Sequence, residues 1–201
     1  MLPVGLAPGS FPSITRWTPA NIAGLVFWKQ NVPLPYPYFL VNPTPMTDGP
    51  KTICFIFTLT SLPTTGTFYS LGQLFSSTPL GCEIFLSNIG TPYLPYSFTC
   101  DTLYTTAVGN TTPLSTNRIS LILIYNGGPT GNPTSYTLYL NGSSVSLAVS
   151  GAIGINVPYT SSIGGRSNTT AITHGQIPQA FAYNSAISGS DLTQLIAWMR
   201  I

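Results

Sequence analysis

Glycine and proline interrupt this chain at intervals of roughly eight to fifteen residues, the spacing of a protein built from short strands and tight turns. Each occurs 19 times in 201 residues. Between them lie runs rich in Val, Ile, Phe, Tyr and Thr, which favour the pleated, half-buried surface of a sheet. Strands are predicted at 24–30, 51–60, 66–72, 82–87, 96–100, 102–108, 118–125, 135–142, 143–149, 161–166 and 176–183. No stretch between them is long or polar enough to act as a linker. The reading is an all-β sandwich over residues 17–201, preceded by an extended Pro-rich arm at 1–16.

Two runs fix local detail. In "TICFIFTLT", Ile53, Phe55, Phe57 and Leu59 share one face, while Cys54, Ile56 and Thr58 share the other. Both faces are apolar, which suits a strand covered on both sides. In "SYTLYLNGSSVSL", Asn141-Gly142 stands between two alternating runs and predicts a type I′ hairpin, since both turn residues must accept φ > 0. One helix is predicted, at the C-terminus. Ser188 with Asp191 three residues on has the form of a capping box, and Leu192, Leu195, Ile196 and Met199 then fall on one stripe.

Charged residues make up only 5% of the chain, against about 25% in ordinary soluble domains. The six Lys and Arg are scattered singly, so a phosphate backbone has no basic stripe to bind, and nucleic acid is not an expected partner. No apolar run approaches the ~18–20 residues of a membrane-spanning helix. The opening residues lack the pattern of a secretory signal. A composition rich in Ser, Thr, Gly, Pro, Asn and Tyr nevertheless suits a surface protein. An assembled particle satisfies both observations.

Catalytic chemistry finds little to work with. The four acidic residues are Asp48, Glu83, Asp101 and Asp191. A glycosidase pair stands about 5 to 9.5 Å apart, and only Glu83 and Asp101 could approach, across a hairpin, where a solvated pair at the turn edge is the expectation. The single histidine, His174, precedes a glycine in a Ser/Thr-rich loop, and no G-x-S-x-G elbow accompanies it. No acidic cluster offers calcium its six to eight oxygens. No catalytic residue, metal site or cofactor is therefore expected. Asn110, Asn141 and Asn168 each begin an N-x-[ST] triplet, a number that chance supplies in a chain this rich in Ser and Thr.

Three cysteines are too few for a disulfide framework. Strands at 82–86 and 96–100 closed by "NIGTPYLP" would set Cys82 opposite Cys100, within reach of a disulfide, or both could remain buried thiols. The aromatic residues offer the remaining signal. "LPYPYF" (34–39) and "LPYSF" (94–98) place tyrosines beside prolines, so Tyr36, Tyr38, Tyr93 and Tyr96 are candidate platforms for a sugar or a partner protein, or else plugs over the ends of the sandwich.

Several segments resemble the concanavalin A-like lectin/glucanase superfamily in its laminin G-like branch. "WTPANIAGLVFW" (17–28) resembles the branch's opening P-x-x-I-x-G-L-x-x-W, known from phage and bacterial surface proteins. "LYLNG" (138–142), "SIGGR" (162–166) and "GQIPQAFAYNSAIS" (175–188) are similar to its L-Y-x-N/D-G, I-G and G-x-I-D-E-V-x-I-Y-N-R-A-L-S runs. The resemblance implies a two-sheet antiparallel jelly-roll sandwich with a short C-terminal helix. Here Pro178 and Gln179 replace the branch's acidic pair, Phe181 its basic residue, and the glucanase catalytic motif is absent, so neither activity nor calcium carries over. The expectation is a non-catalytic structural protein of a virus or phage particle (a capsid decoration, spike or tail component), on the virion or another extracellular surface. Its partners would be other particle proteins and copies of itself. The alternative is a carbohydrate-binding module that attaches to surface glycans.

Overall fold

Alternation along residues 51–59 sets the layers of the molecule. In the computed structural model, which describes residues 39–40, 49–75, 81–88, 94–99, 107–150, 162–164, 175–183 and 185–200, this run forms β2 (Lys51–Leu59). Ile53, Phe55, Phe57 and Leu59 point into a core between two sheets. Cys54 and Ile56 point the other way, into a second apolar cluster beneath the C-terminal helix. Both faces of the strand are thus covered, as its sequence requires.

The remaining elements are β1 (Phe39–Leu40), β3 (Phe68–Phe75), β4 (Gly81–Ser87), β5 (Tyr96–Thr99), β6 (Ala107–Asn110), β7 (Ile119–Tyr125) and a 3₁₀ turn at Pro133–Ser135. After the turn come β8 (Tyr136–Leu140), β9 (Ser143–Val145), β10 (Ala148–Ser150), β11 (Ser162–Ile163), β12 (Gly175–Tyr183) and α1 (Gly189–Met199). Among the described residues seven strands form one sheet in the order β1-β11-β3-β4-β5-β6-β10, and five form the other in the order β12-β2-β7-β8-β9. Every pairing is antiparallel. The expected two-sheet antiparallel sandwich with a short C-terminal helix is what the chain builds. No helix among the described residues is long and apolar enough to cross a membrane.

An aromatic row ties the layers together. Phe98 of the seven-stranded sheet meets Tyr136 of the five-stranded sheet with ring centroids 4.9 Å apart, and Tyr136 meets Tyr125 at 5.1 Å. The Asn141-Gly142 turn between β8 and β9 has φ of 50° and 78°, the positive pair that a type I′ turn demands. In β12, Ile177 and Pro178 lie between the pairs Gln176↔Thr58 and Gln179↔Ile56, so two residues oppose one. Proline, which cannot donate to a ladder, is accommodated at such a bulge.

Three local expectations are corrected. The predicted strand 143–149 is two strands: β9 pairs with β8 in one sheet, and β10 pairs with β6 in the other. The crossing occurs at residues 146–147, where Asn110 Nδ2 donates to the Ser146 carbonyl at 2.7 Å. Ser188 does stand at the N-cap of α1 with extended backbone, but its hydroxyl makes no capping hydrogen bond, so no capping box forms. Glu83 is not a solvated turn-edge residue, since it is 0% exposed within β4.

Docking of α1 follows from its stripe. Leu195 and Met199 are buried against Cys54, Ile56, Ile122, Ile124 and Tyr183, with Leu192 and Ile196 at the margin. The connector from β12 is pinned to β2 through Thr52, whose hydroxyl donates to the Ser185 carbonyl at 2.8 Å and accepts from the Ile187 N–H at 2.9 Å. The helix thereby lies over the outer face of the five-stranded sheet and stops short of one end of it.

Candidate functional site

The end of the sheet that the helix leaves uncovered is polar. Along β7 and the residue before it, Arg118, Ser120, Ile122 and Ile124 alternate onto one face. The two isoleucines lie under α1, and the polar pair lies beyond the helix terminus. There Arg118, Ser120, Asn141, Met199 and Arg200 line a cavity of about 210 Å³. Its floor is buried: Ser120 is 6% and Met199 1% exposed. Arg118, Asn141 and Arg200 form its exposed walls.

Hydrogen bonds hold the walls. The Asn141 N–H donates to the Ser120 carbonyl at 2.8 Å, and Asn141 Oδ1 accepts from the Ser120 N–H at 2.9 Å. Arg200 follows the last helical residue, where its N–H donates to the Ile196 carbonyl at 3.2 Å. Its Nη2 reaches across to donate to the Gly142 carbonyl at 3.0 Å. Gly142 has a φ of +78°, which favours glycine, and a Cβ there would push the Arg200 guanidinium aside. One turn therefore positions both a carboxamide and a guanidinium.

The arrangement is rich in donors. A guanidinium carries five N–H donors in a planar fork and accepts nothing. Asn141 Oδ1 accepts from the Ser120 N–H, and its amide NH₂ adds two more donors. Among the described residues neither Arg118 nor Arg200 has an ion pair. The two described carboxylates are remote. Glu83 lies on the far sheet, and Asp191 sits in the first turn of α1, about 13 Å along the helix from Arg200 at 1.5 Å per residue. Binding of an acceptor group by positioned donors is what this geometry can do.

The aromatic candidates fare differently. Tyr36, Tyr38 and Tyr93 lie outside the described residues, as do His174 and residues 1–16. Tyr96 is described and is not a platform. It is 3% exposed, alternates inward with Phe98, and pairs with Leu86 in the core. The strand begins directly after Pro95, as predicted, and its alternation turns the Tyr96 ring inward rather than outward. Cys82 is disulfide-bonded and Cys54 is a free, buried thiol. Cys100 lies outside the described residues, one position beyond the Glu83↔Thr99 pair. No group of His, Cys, Asp and Glu among the described residues could hold a metal ion.

Arg118, Ser120, Asn141 and Arg200 were not candidates on sequence. One signal was available: in "RISLILIY" the face that carries Ile122 and Ile124 turns polar at Ser120 and Arg118, where its apolar cover must end. Arg200 could not be added without knowing where the helix docks.

No protein-family model and no curated protein matches the sequence. Among solved structures the chain is similar to the CBM40 of the Ruminococcus gnavus IT-sialidase bound to alpha2,3 sialyllactose. Identity is 17%, covering 75% of this chain and 83% of that one, with a TM-score of 0.43. It is similar to the native heptameric SAP-like pentraxin from Limulus polyphemus at 11% identity, covering 90% and 80%, with a TM-score of 0.49. It is also similar to Trypanosoma rangeli sialidase at 14% identity and a TM-score of 0.46, covering 74% of this chain but spanning 23% of that one. The class of the protein rests on its own strand order: a two-sheet antiparallel β-sandwich with a helix on the outer face of the smaller sheet.

Proposed function

We propose that the protein is a non-catalytic, lectin-like sandwich that binds a carbohydrate, with the cavity of Arg118, Ser120, Asn141, Met199 and Arg200 as its ligand site. The observation that carries this reading is the donor set, held in place by backbone and side-chain hydrogen bonds around a buried floor. Few, fixed polar groups beside an apolar surface are the usual makings of a small-ligand site. Planar carboxamide and guanidinium groups suit neighbouring sugar oxygens, which they can bridge two at a time.

A catalytic role is not part of the proposal. Glu83 and Asp191 are separated by both sheets, which stack about 10 Å apart, so these two cannot flank one bond. The particle-component reading draws on composition and on residues 17–28, which lie outside the described residues.

The test is a glycan array probed with the purified protein, together with light scattering. Retention of one sugar class supports the proposal. Failure to bind any glycan by a protein that forms a stable homo-oligomer would replace it with a role in assembly.

A further inference from the structure

Within the sugar-binding reading, on which this step rests, we infer that the cavity takes the anionic group of an acidic glycan, a carboxylate or a sulfate ester, and so selects charged sugars over neutral ones. The chain has six Lys and Arg in all, yet Arg118 and Arg200, 82 positions apart by subtraction, line one cavity of about 210 Å³. Among the described residues no carboxylate neutralises either. In a chain so short of charge, two cations that line one cavity with no ion pair among the described residues form a local positive field that an anion would relieve.

The donor balance points the same way. A neutral sugar hydroxyl both donates and accepts, so a matching site needs acceptors as well as donors. Here the Gly142 carbonyl and Asn141 Oδ1 each already accept one hydrogen bond, from Arg200 and from the Ser120 N–H, and each keeps a second lone pair. Around them stand two guanidinium groups and one carboxamide, whose N–H donors outnumber these acceptors. A carboxylate or sulfate accepts only, and it meets that set without leaving a donor of its own unsatisfied. The last carbonyls of α1 add a partial negative charge of about half a unit, less than the two full positive charges of the arginines. At about 210 Å³ the cavity is smaller than the ~300 Å³ at which drug-sized pockets begin. It therefore holds the charged end of one sugar unit, with the rest of the glycan outside.

Matched polysaccharide pairs test this by isothermal titration at about 50 mM salt, where exposed charges are weakly screened. Polygalacturonate is compared with its fully methyl-esterified form, and dextran sulfate with dextran. The charged member of at least one pair should bind about tenfold tighter or better, the two pairs telling carboxylate from sulfate. Arg118→Gln and Arg200→Gln should abolish that preference, and Arg200→Lys should retain only part of it because the fork is lost. Equal affinity within both pairs, or a preference left unchanged in both Gln variants, would overturn the inference and leave the sugar-binding reading standing. Absence of binding to all four polymers would overturn the inference, and the glycan array decides the sugar-binding reading separately.

Discussion

Asn141 grips Ser120 from two directions: its N–H donates to the Ser120 carbonyl at 2.8 Å, and its side-chain oxygen accepts from the Ser120 N–H at 2.9 Å. The same residue carries φ = 50°, which asparagine tolerates and alanine does not. Asn141→Ala therefore loses a hydrogen bond and gains backbone strain, and should cost about 2 kcal/mol. Asn141→Gly loses only the bond and should cost about 1 kcal/mol. Urea midpoints at constant m-value separate the two, and equal losses would count against the strain argument.

Thr52 plays a comparable part at the other end of α1, where the connector enters it. Thr52→Val keeps the shape but strands the Ser185 carbonyl and the Ile187 N–H, both of which the hydroxyl satisfies. A loss of about 2 to 4 kcal/mol is expected for two such groups. Thr52→Ser keeps both bonds and should stay within about 1 kcal/mol of the parent. Denaturant unfolding of the pair decides it.

Helix docking can be read through a thiol. Leu195 is fully buried in the cluster that also encloses Cys54. Leu195→Ala should cost about 2 to 5 kcal/mol through the cavity it leaves. It should also raise the rate at which a thiol reagent labels Cys54 under native conditions. An unchanged labelling rate in a destabilised variant would mean that α1 is not what shields the thiol.

Alkaline pH should weaken the fold. Burial pushes the Cys54 thiol well above its ordinary range. The Tyr183 phenol is pushed up as well, first by burial and then by the neighbouring Cys54 charge. Both groups keep their protons in the folded state at a pH where the unfolded chain has released them. Stability is therefore full below the unfolded values and falls as pH rises beyond about 8.5 for the thiol and about 10 for the phenol. The slope is up to about 1.4 kcal/mol per pH unit per group. Unfolding at pH 7, 9 and 10.5 checks the trend, and Cys54→Ala should delay its onset.

Much of the fold is legible in the chain because it is written in period-two alternation. β2, β4, β5, β7, β8 and β12 fall where apolar runs meet Gly or Pro, and Asn141-Gly142 announces its turn. The sheet crossing at 146–147 is not visible, since Ser143–Val145 and Ala148–Ser150 share one alternating run and only tertiary pairing divides them. Tyr96 misleads for a related reason: a proline before an aromatic at a strand start does not say which face of the sheet the ring will take. The cavity is the least legible feature, because Arg118, Asn141 and Arg200 converge only once α1 has docked.

The central claim is that the cavity beside the end of α1 is where ligand binds. Nuclear magnetic resonance of the labelled protein, following the Asn141 side-chain NH₂ and the Arg118 and Arg200 Nε–H signals during titration with the best acidic glycan, tests it directly. Saturable shifts concentrated on those three residues and Ser120 are predicted. Shifts that cluster elsewhere on the sandwich, with these four signals unmoved at saturation, would contradict it.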